Sequence, residues 1–172
     1  MRICTIRGVA VRIHPLFPLI LLLYILAGQT PIIAAGVLTL LLHETGHLFV
    51  ARRLSLPVSE IELTPFGGVL QIPLGEGLCG WPAFWLAAAG IAVNLLCLLF
   101  CFLPFRVHLS PFLIYFASAN ATMLLVNLLP VLPLDGGRML LAILSTRFKR
   151  SSVFRVLLQL GRLLAGCMLL YG

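Results

Sequence analysis

The chain has 172 residues, 61% of them hydrophobic and only 10% charged, with a mean hydropathy of +1.13. Soluble domains carry about a quarter charged residues, so this composition excludes an ordinary soluble domain and points to one integral membrane domain over residues 1–172. The net charge of +7 does not signal nucleic acid, because the basic residues fall in the short gaps between apolar runs, where topology signals belong.

The first apolar run covers residues 15–28. It is short for a span, and Pro15 and Pro18 fit its first turn, where a missing N–H costs least. No small-residue cleavage site separates it from the next run, so no signal peptide is expected. The second run, residues 32–54, ends on Arg52 and Arg53. Residues 57–80 then break the helical pattern. Residues 58–63 alternate with period two, Pro65-Phe66-Gly67-Gly68 reads as a turn, and residues 69–72 read as a return strand.

The third span covers residues 81–103, with Trp81 and Trp85 near one interface. A short connection over 104–110 leads to the fourth run, 111–129, which meets Pro130, Pro133, Gly136 and Gly137 within a few residues. Such a stretch must break or kink a helix. A further helix is expected over 138–145. The last run, 151–171, is interrupted by Arg155 and Arg162 and either spans or lies along the interface. The expected fold is an all-α polytopic membrane protein: a bundle of about five transmembrane helices, with a small membrane-associated β-hairpin between the second and third.

Charge sets the expected orientation. With the N-terminus inside, the inside pieces hold Arg2, Arg7, Arg12, Arg52, Arg53, Arg138 and the basic cluster over 147–155. The outside pieces hold Arg106 alone. The expectation is a multi-pass protein of a bacterial cell membrane with a cytoplasmic N-terminus.

The second run carries His43-Glu44-Thr45-Gly46-His47. Histidines four apart on a helix project from one face, one turn apart. That geometry suits two ligands of one zinc ion, with the intervening glutamate beside the water such an ion carries. Burying a carboxylate and two imidazoles in an apolar span costs several kcal/mol each, roughly, unless they are paired or bound, and a metal is the simplest partner. A hydrolytic zinc takes a third protein ligand. The chain has only five acids. Glu60, Glu62 and Glu76 lie in the loop region, and Asp135 is the one other acid beside an apolar span, so Asp135 is the expected third ligand. Zinc polarises a carbonyl and acidifies its water, and Glu44 is the expected proton acceptor. The charge asymmetry puts this site toward the cytoplasm.

Plainer readings stand beside these. Asp135 also suits a helix N-cap before Gly136. Asn127, eight residues earlier, suits either a hydrogen bond at a helix end or a contact to substrate backbone. A peptide held for cleavage in a membrane must be extended, since helical carbonyls are already bonded. The hairpin offers an edge for that, with Phe66, Gly67 and Gly68 as candidate substrate-holding residues; a plain surface turn is the other reading. Asn94 with Gly90 reads as close helix packing with a polar bridge. His14 and His108 read as interfacial packing. The five cysteines show no C-x-x-C pair and imply no disulfide framework.

Several motifs occur together: His43-Glu44-Thr45-Gly46-His47, residues 63–68, Ala89-Gly90 with Asn94, and the string over 126–138 containing Asn127 and Asp135-Gly136-Gly137. In this order they resemble the site-2 protease family of intramembrane zinc metalloproteases, and within it the sporulation branch, over roughly residues 10–145. The resemblance implies one zinc held by His43, His47 and Asp135, with Glu44 as catalytic base and Asn127 near the substrate. It also implies a membrane-associated protein substrate, in the sporulation branch a sigma-factor precursor, and membrane-protein inhibitors. There are departures. Ile91 follows Gly90 where relatives often have proline, and no CBS domain is expected within 1–172. The alternative function is a membrane zinc-binding or transport protein; against it, the first and third spans have almost no polar residues for a permeation path.

Overall fold

A computed structural model describes residues 2–6, 9–64, 67–71, 78–102 and 110–171. Around the central helix α2 (Thr30–Arg53) pack α3 (Gly80–Cys101) and α4 (Pro111–Asn127); α5 (Asp135–Leu144) closes on α3. Helix α1 (Leu16–Leu26) touches α2, and α6 (Arg150–Tyr171) touches α5. The buried residues of α2 include Ala35, Thr39, His43, Gly46, His47 and Ala51. Their spacing of three to four is that of one helix face, so the histidine pair lies on the side turned toward the other helices. Large apolar residues such as Leu22, Phe49, Leu96, Leu125 and Leu163 cover the outside, as bilayer contact requires.

Five apolar helices stand where the sequence places its apolar runs. Three of them, α2, α3 and α6, are long and apolar enough to cross a bilayer. Helix α1 has 11 residues and α4 has 17; at 1.5 Å per residue they reach about 16 and 25 Å, against a hydrocarbon core of about 30 Å. Pro111 opens α4 behind Ser110, whose Oγ accepts from the Leu113 N–H at 3.3 Å, the usual place for both residues. Helix α5 starts at Asp135, earlier than the expected 138. Glycines at 136 and 137 do not stop the helix here, because they are its first turn, packed against the carbonyls of residues 128, 129 and 131.

The sheet is larger than the single expected hairpin. The expected pair is present as β3 (Glu60–Thr64) and antiparallel β4 (Gly67–Gln71), paired Leu63 to Gly68 and Thr64 to Gly67. Two N-terminal strands precede it, β1 (Arg2–Ile6) and β2 (Val9–Ile13), in the order β1-β2-β3-β4. Strand β2 runs parallel to β3, and Arg12 reaches Glu60 at 2.7 Å. Pro65, Phe66, Ile72, Glu76 and the connection over 104–109 with Arg106 and His108 lie outside the described residues. His14 takes the plain role: its Nδ1 accepts from the Leu16 N–H at 3.3 Å, at the start of α1.

Candidate metal centre

His43 and His47 face each other across one turn of α2, their Nε2 atoms 3.0 Å apart. The rings stand nearly perpendicular, at 86°. Helix α5 brings the third donor: Asp135 Oδ2 lies 3.2 Å from each Nε2. A carboxylate in the first turn of a helix is favoured by the helix dipole, and the break after α4 delivers that turn to the α2 histidines. All three side chains are buried, at 3%, 6% and 4% relative exposure. Glu44 is buried too, with its ligand atom within 4.8 Å of both imidazoles. Asp135 is nearer to the pair, and Glu44 has its own partner: Gly68 N–H of β4 donates to Glu44 Oε1 at 3.1 Å. The other Gly68 neighbour in the sheet is Leu63, so the N–H that reaches Glu44 lies on the open edge of the described sheet.

Helix α3 builds the back of the site. Gly90 packs directly on the histidines: a Cβ there would stand 2.6 Å from His47 Nε2 and 2.7 Å from His43 Nε2, closer than any side chain tolerates. One turn before it, the Leu86 carbonyl lies 2.7 Å from His47 Nδ1. One turn after it, the Asn94 amide lies 3.1 Å from His43 Nδ1. Gly46 lets the two helices approach, since a Cβ there would meet the Ala89 carbonyl oxygen at 2.8 Å. The sequence reading treated Gly90 and Asn94 as general helix packing and did not join them to the histidines. The available signal was a wholly polar side chain in an apolar span, which needs a partner of its own, four residues from a glycine.

Asn127 makes no hydrogen bond to this cluster among the described residues. It ends α4, and its Nδ2 donates to the Met123 carbonyl at 3.1 Å, its one hydrogen bond among the described residues. Of the expected substrate-holding residues, Gly68 touches the site through Glu44, Gly67 pairs with Thr64 in the hairpin, and Phe66 is outside the described residues.

The chain is similar to known proteins in both sequence and fold. Residues 104–168 match the model of peptidase family M50. Over its whole length the chain is 32% identical to zinc metalloprotease MJ0392 of Methanocaldococcus jannaschii, of which it spans 53%. Over 94% of its length it is 29% identical to stage IV sporulation protein FB of Bacillus subtilis, of which it spans 58%. The fold matches the solved site-2 protease from Methanocaldococcus jannaschii with a TM-score of 0.75 at 27% identity, covering all of this chain and 84% of that one. The chain carries a peptidase M50 domain of the site-2 protease type. It spans about half the length of the curated relatives it matches.

Zinc is the metal that a domain of this type implies, and the residues present fit it. Donors about 2.1 Å from a tetrahedral ion stand about 3.4 Å from one another; here the three separations are 3.0, 3.2 and 3.2 Å. Among the described residues, buried Asp135 Oδ2 has no hydrogen-bond partner beyond the two ring nitrogens it faces, which is costly for a carboxylate oxygen unless a cation completes it. The charges agree as well, because the carboxylates of Asp135 and Glu44 balance a dication between neutral imidazoles.

Proposed function

We propose that this chain is a zinc endopeptidase that cleaves a membrane-associated protein near the cytoplasmic face of the membrane. The observation that carries the reading is the meeting of His43 Nε2, His47 Nε2 and Asp135 Oδ2 within 3.2 Å of one another, with the Glu44 carboxylate beside them. In this reading His43, His47 and Asp135 hold the metal. When bound, zinc supplies Lewis acidity toward a carbonyl oxygen and makes water a nucleophile near neutral pH. Glu44 would accept a proton from the attacking water and return it to the leaving amine. Its burial excludes bulk water from the transfer and strengthens each electrostatic contact inside.

Substrate handling follows from the hairpin. The open edge of β4 lies against Glu44, so an extended segment pairing there would place its carbonyls at the site. Gly67 and Gly68 leave room for that backbone, and Phe66 is a further candidate for holding it. Asn127 serves as a further contact if the end of α4 opens toward the peptide. The concentration of basic residues in the pieces on one side supports a cytoplasmic N-terminus. A sigma-factor precursor as substrate and membrane proteins as inhibitors are the narrower form of the proposal, supported by the likeness to the sporulation relative.

The test is Glu44→Gln in the purified chain, read against a membrane-tethered reporter substrate. Cleavage should fall by roughly the 10²–10⁴-fold that general acid–base catalysis contributes, while zinc content stays at one per chain. Undiminished cleavage would remove Glu44 from the chemistry.

A further inference from the structure

The three residues of α3 behind the histidines, Leu86, Gly90 and Asn94, are spaced by four, so they form one stripe. Gly90 makes room for both rings. Leu86 and Asn94 then hold one ring each by its Nδ1 atom. At His47 the chemistry is unambiguous. A carbonyl oxygen only accepts, so His47 Nδ1 must carry the proton and donate to Leu86 O. A neutral imidazole has one proton, which leaves the His47 Nε2 lone pair turned to Asp135 and His43.

At His43 the same logic gives a second result. Its Nε2 faces the other two donors, 3.0 Å from His47 Nε2 and 3.2 Å from Asp135 Oδ2. For Nε2 to present a lone pair there, Nδ1 must carry the proton and needs an acceptor. With the amide as drawn, the group 3.1 Å away is Asn94 Nδ2, a donor. That orientation would put the proton on Nε2 instead, pointing at the metal position. Nothing else among the described residues holds the amide this way: Asn94 is wholly buried and its Oδ1 has no partner among them. Exchanging the amide oxygen and nitrogen leaves every heavy-atom position in place.

We infer that Asn94 turns its carbonyl oxygen to His43 Nδ1–H and so sets the tautomer in which His43 can bind zinc. Asn94 is a positioning residue in this account, acting through His43 and touching neither metal nor substrate. Together with Leu86 O it makes α3 the helix that orients both imidazoles, the role outer partners play for metal-binding histidines generally. The inference rests on the proposed zinc site, and the test separates the two.

The experiment measures zinc affinity by chelator competition in the detergent-purified full chain, with cobalt absorption as a second readout of ligand geometry. It compares wild type, Asn94→Asp, Asn94→Leu and His43→Ala. Aspartate only accepts, so Asn94→Asp should hold zinc within a few-fold of wild type and keep the cobalt spectrum. Leucine offers no acceptor, so Asn94→Leu should bind zinc about 10–100-fold more weakly and alter the spectrum. If Asn94→Leu does not fold, Asn94→Asp decides alone: an amide acting as donor cannot be replaced by a carboxylate, so weak zinc binding in folded Asn94→Asp overturns the inference. Wild-type affinity in Asn94→Leu, with His43→Ala impaired, overturns it while leaving the zinc site standing. Absence of zinc binding in wild type overturns both.

Discussion

Behind the donor cluster, α2, α3 and α5 hold each ring from two directions: His47 by the Leu86 carbonyl and Asp135, His43 by Asn94 and Asp135. In front of it, β4 reaches the same cluster through one backbone N–H, that of Gly68 on Glu44. The helical wall uses buried side chains whose positions depend on several helices at once. The strand uses main-chain groups that can exchange one partner for another without repacking a core. This division suits a metal site that must stay assembled while an extended peptide enters beside it, and it makes the two regions separable by substitution.

The largest effect is expected in the wall. Asp135→Ala removes the donor that α5 brings and leaves two buried imidazoles facing a cavity. Zinc affinity should fall by more than the roughly 10–100-fold typical of changes to outer partners, measured as metal content after dialysis. Full retention of zinc would break the comparison, because α5 would then not belong to the wall.

A smaller and different effect is expected at the strand. A Cβ on Gly68 would overlap the Glu44 carboxylate, so Gly68→Ala must push β4 or Glu44 aside. Displacement of a catalytic group by about 1 Å can cost on the order of 10²-fold in rate. Cleavage of the reporter should drop by that order while zinc content is unchanged. Loss of zinc along with cleavage would show that strand and wall are one unit.

The wall and the strand were unequally legible in the sequence. His43 and His47 stand out as candidate ligands because helical spacing is local, and Asp135 as a candidate third because acids are so few; the structure brings their donor atoms together. The β3–β4 hairpin was readable from its alternation and the glycines at 67 and 68. Strands β1 and β2 were missed: residues 2–13 are rich in valine, isoleucine and threonine, but the pairing of β2 with β3 joins Ile13 to Leu63, a partnership no local window contains. Asn94 was seen as a buried polar residue, yet its link to His43 is a contact between two helices, set by how closely Gly46 and Gly90 let them approach. Glycine usually breaks a helix, so the sequence pattern suggests a later start for α5; tight packing of Gly136 and Gly137 against the preceding carbonyls makes glycine a requirement there instead.

The smallest effects sharpen the comparison by matching one polar contact from each region. In the wall, Thr39 Oγ1 of α2, one turn from His43, accepts from Asn120 Nδ2 of the neighbouring α4 at 3.0 Å, both residues essentially without exposure. Thr39→Val keeps the shape and removes the acceptor, leaving the buried amide with only the Phe116 carbonyl. That should cost about 1–2 kcal/mol, read as a fall of roughly 2–8 °C in the unfolding midpoint in detergent. In the sheet, Arg12 pairs with Glu60 at 2.7 Å, but the arginine side chain is 52% exposed. Water and salt screen that pair, so Arg12→Leu should cost less than about 1 kcal/mol and shift the midpoint correspondingly less. Neither change should alter zinc content. If Arg12→Leu proves the more damaging, the sheet contributes more to holding the fold than its single contact at Glu44 implies, and the strand could not exchange partners as freely as the proposed entry of a peptide along β4 requires.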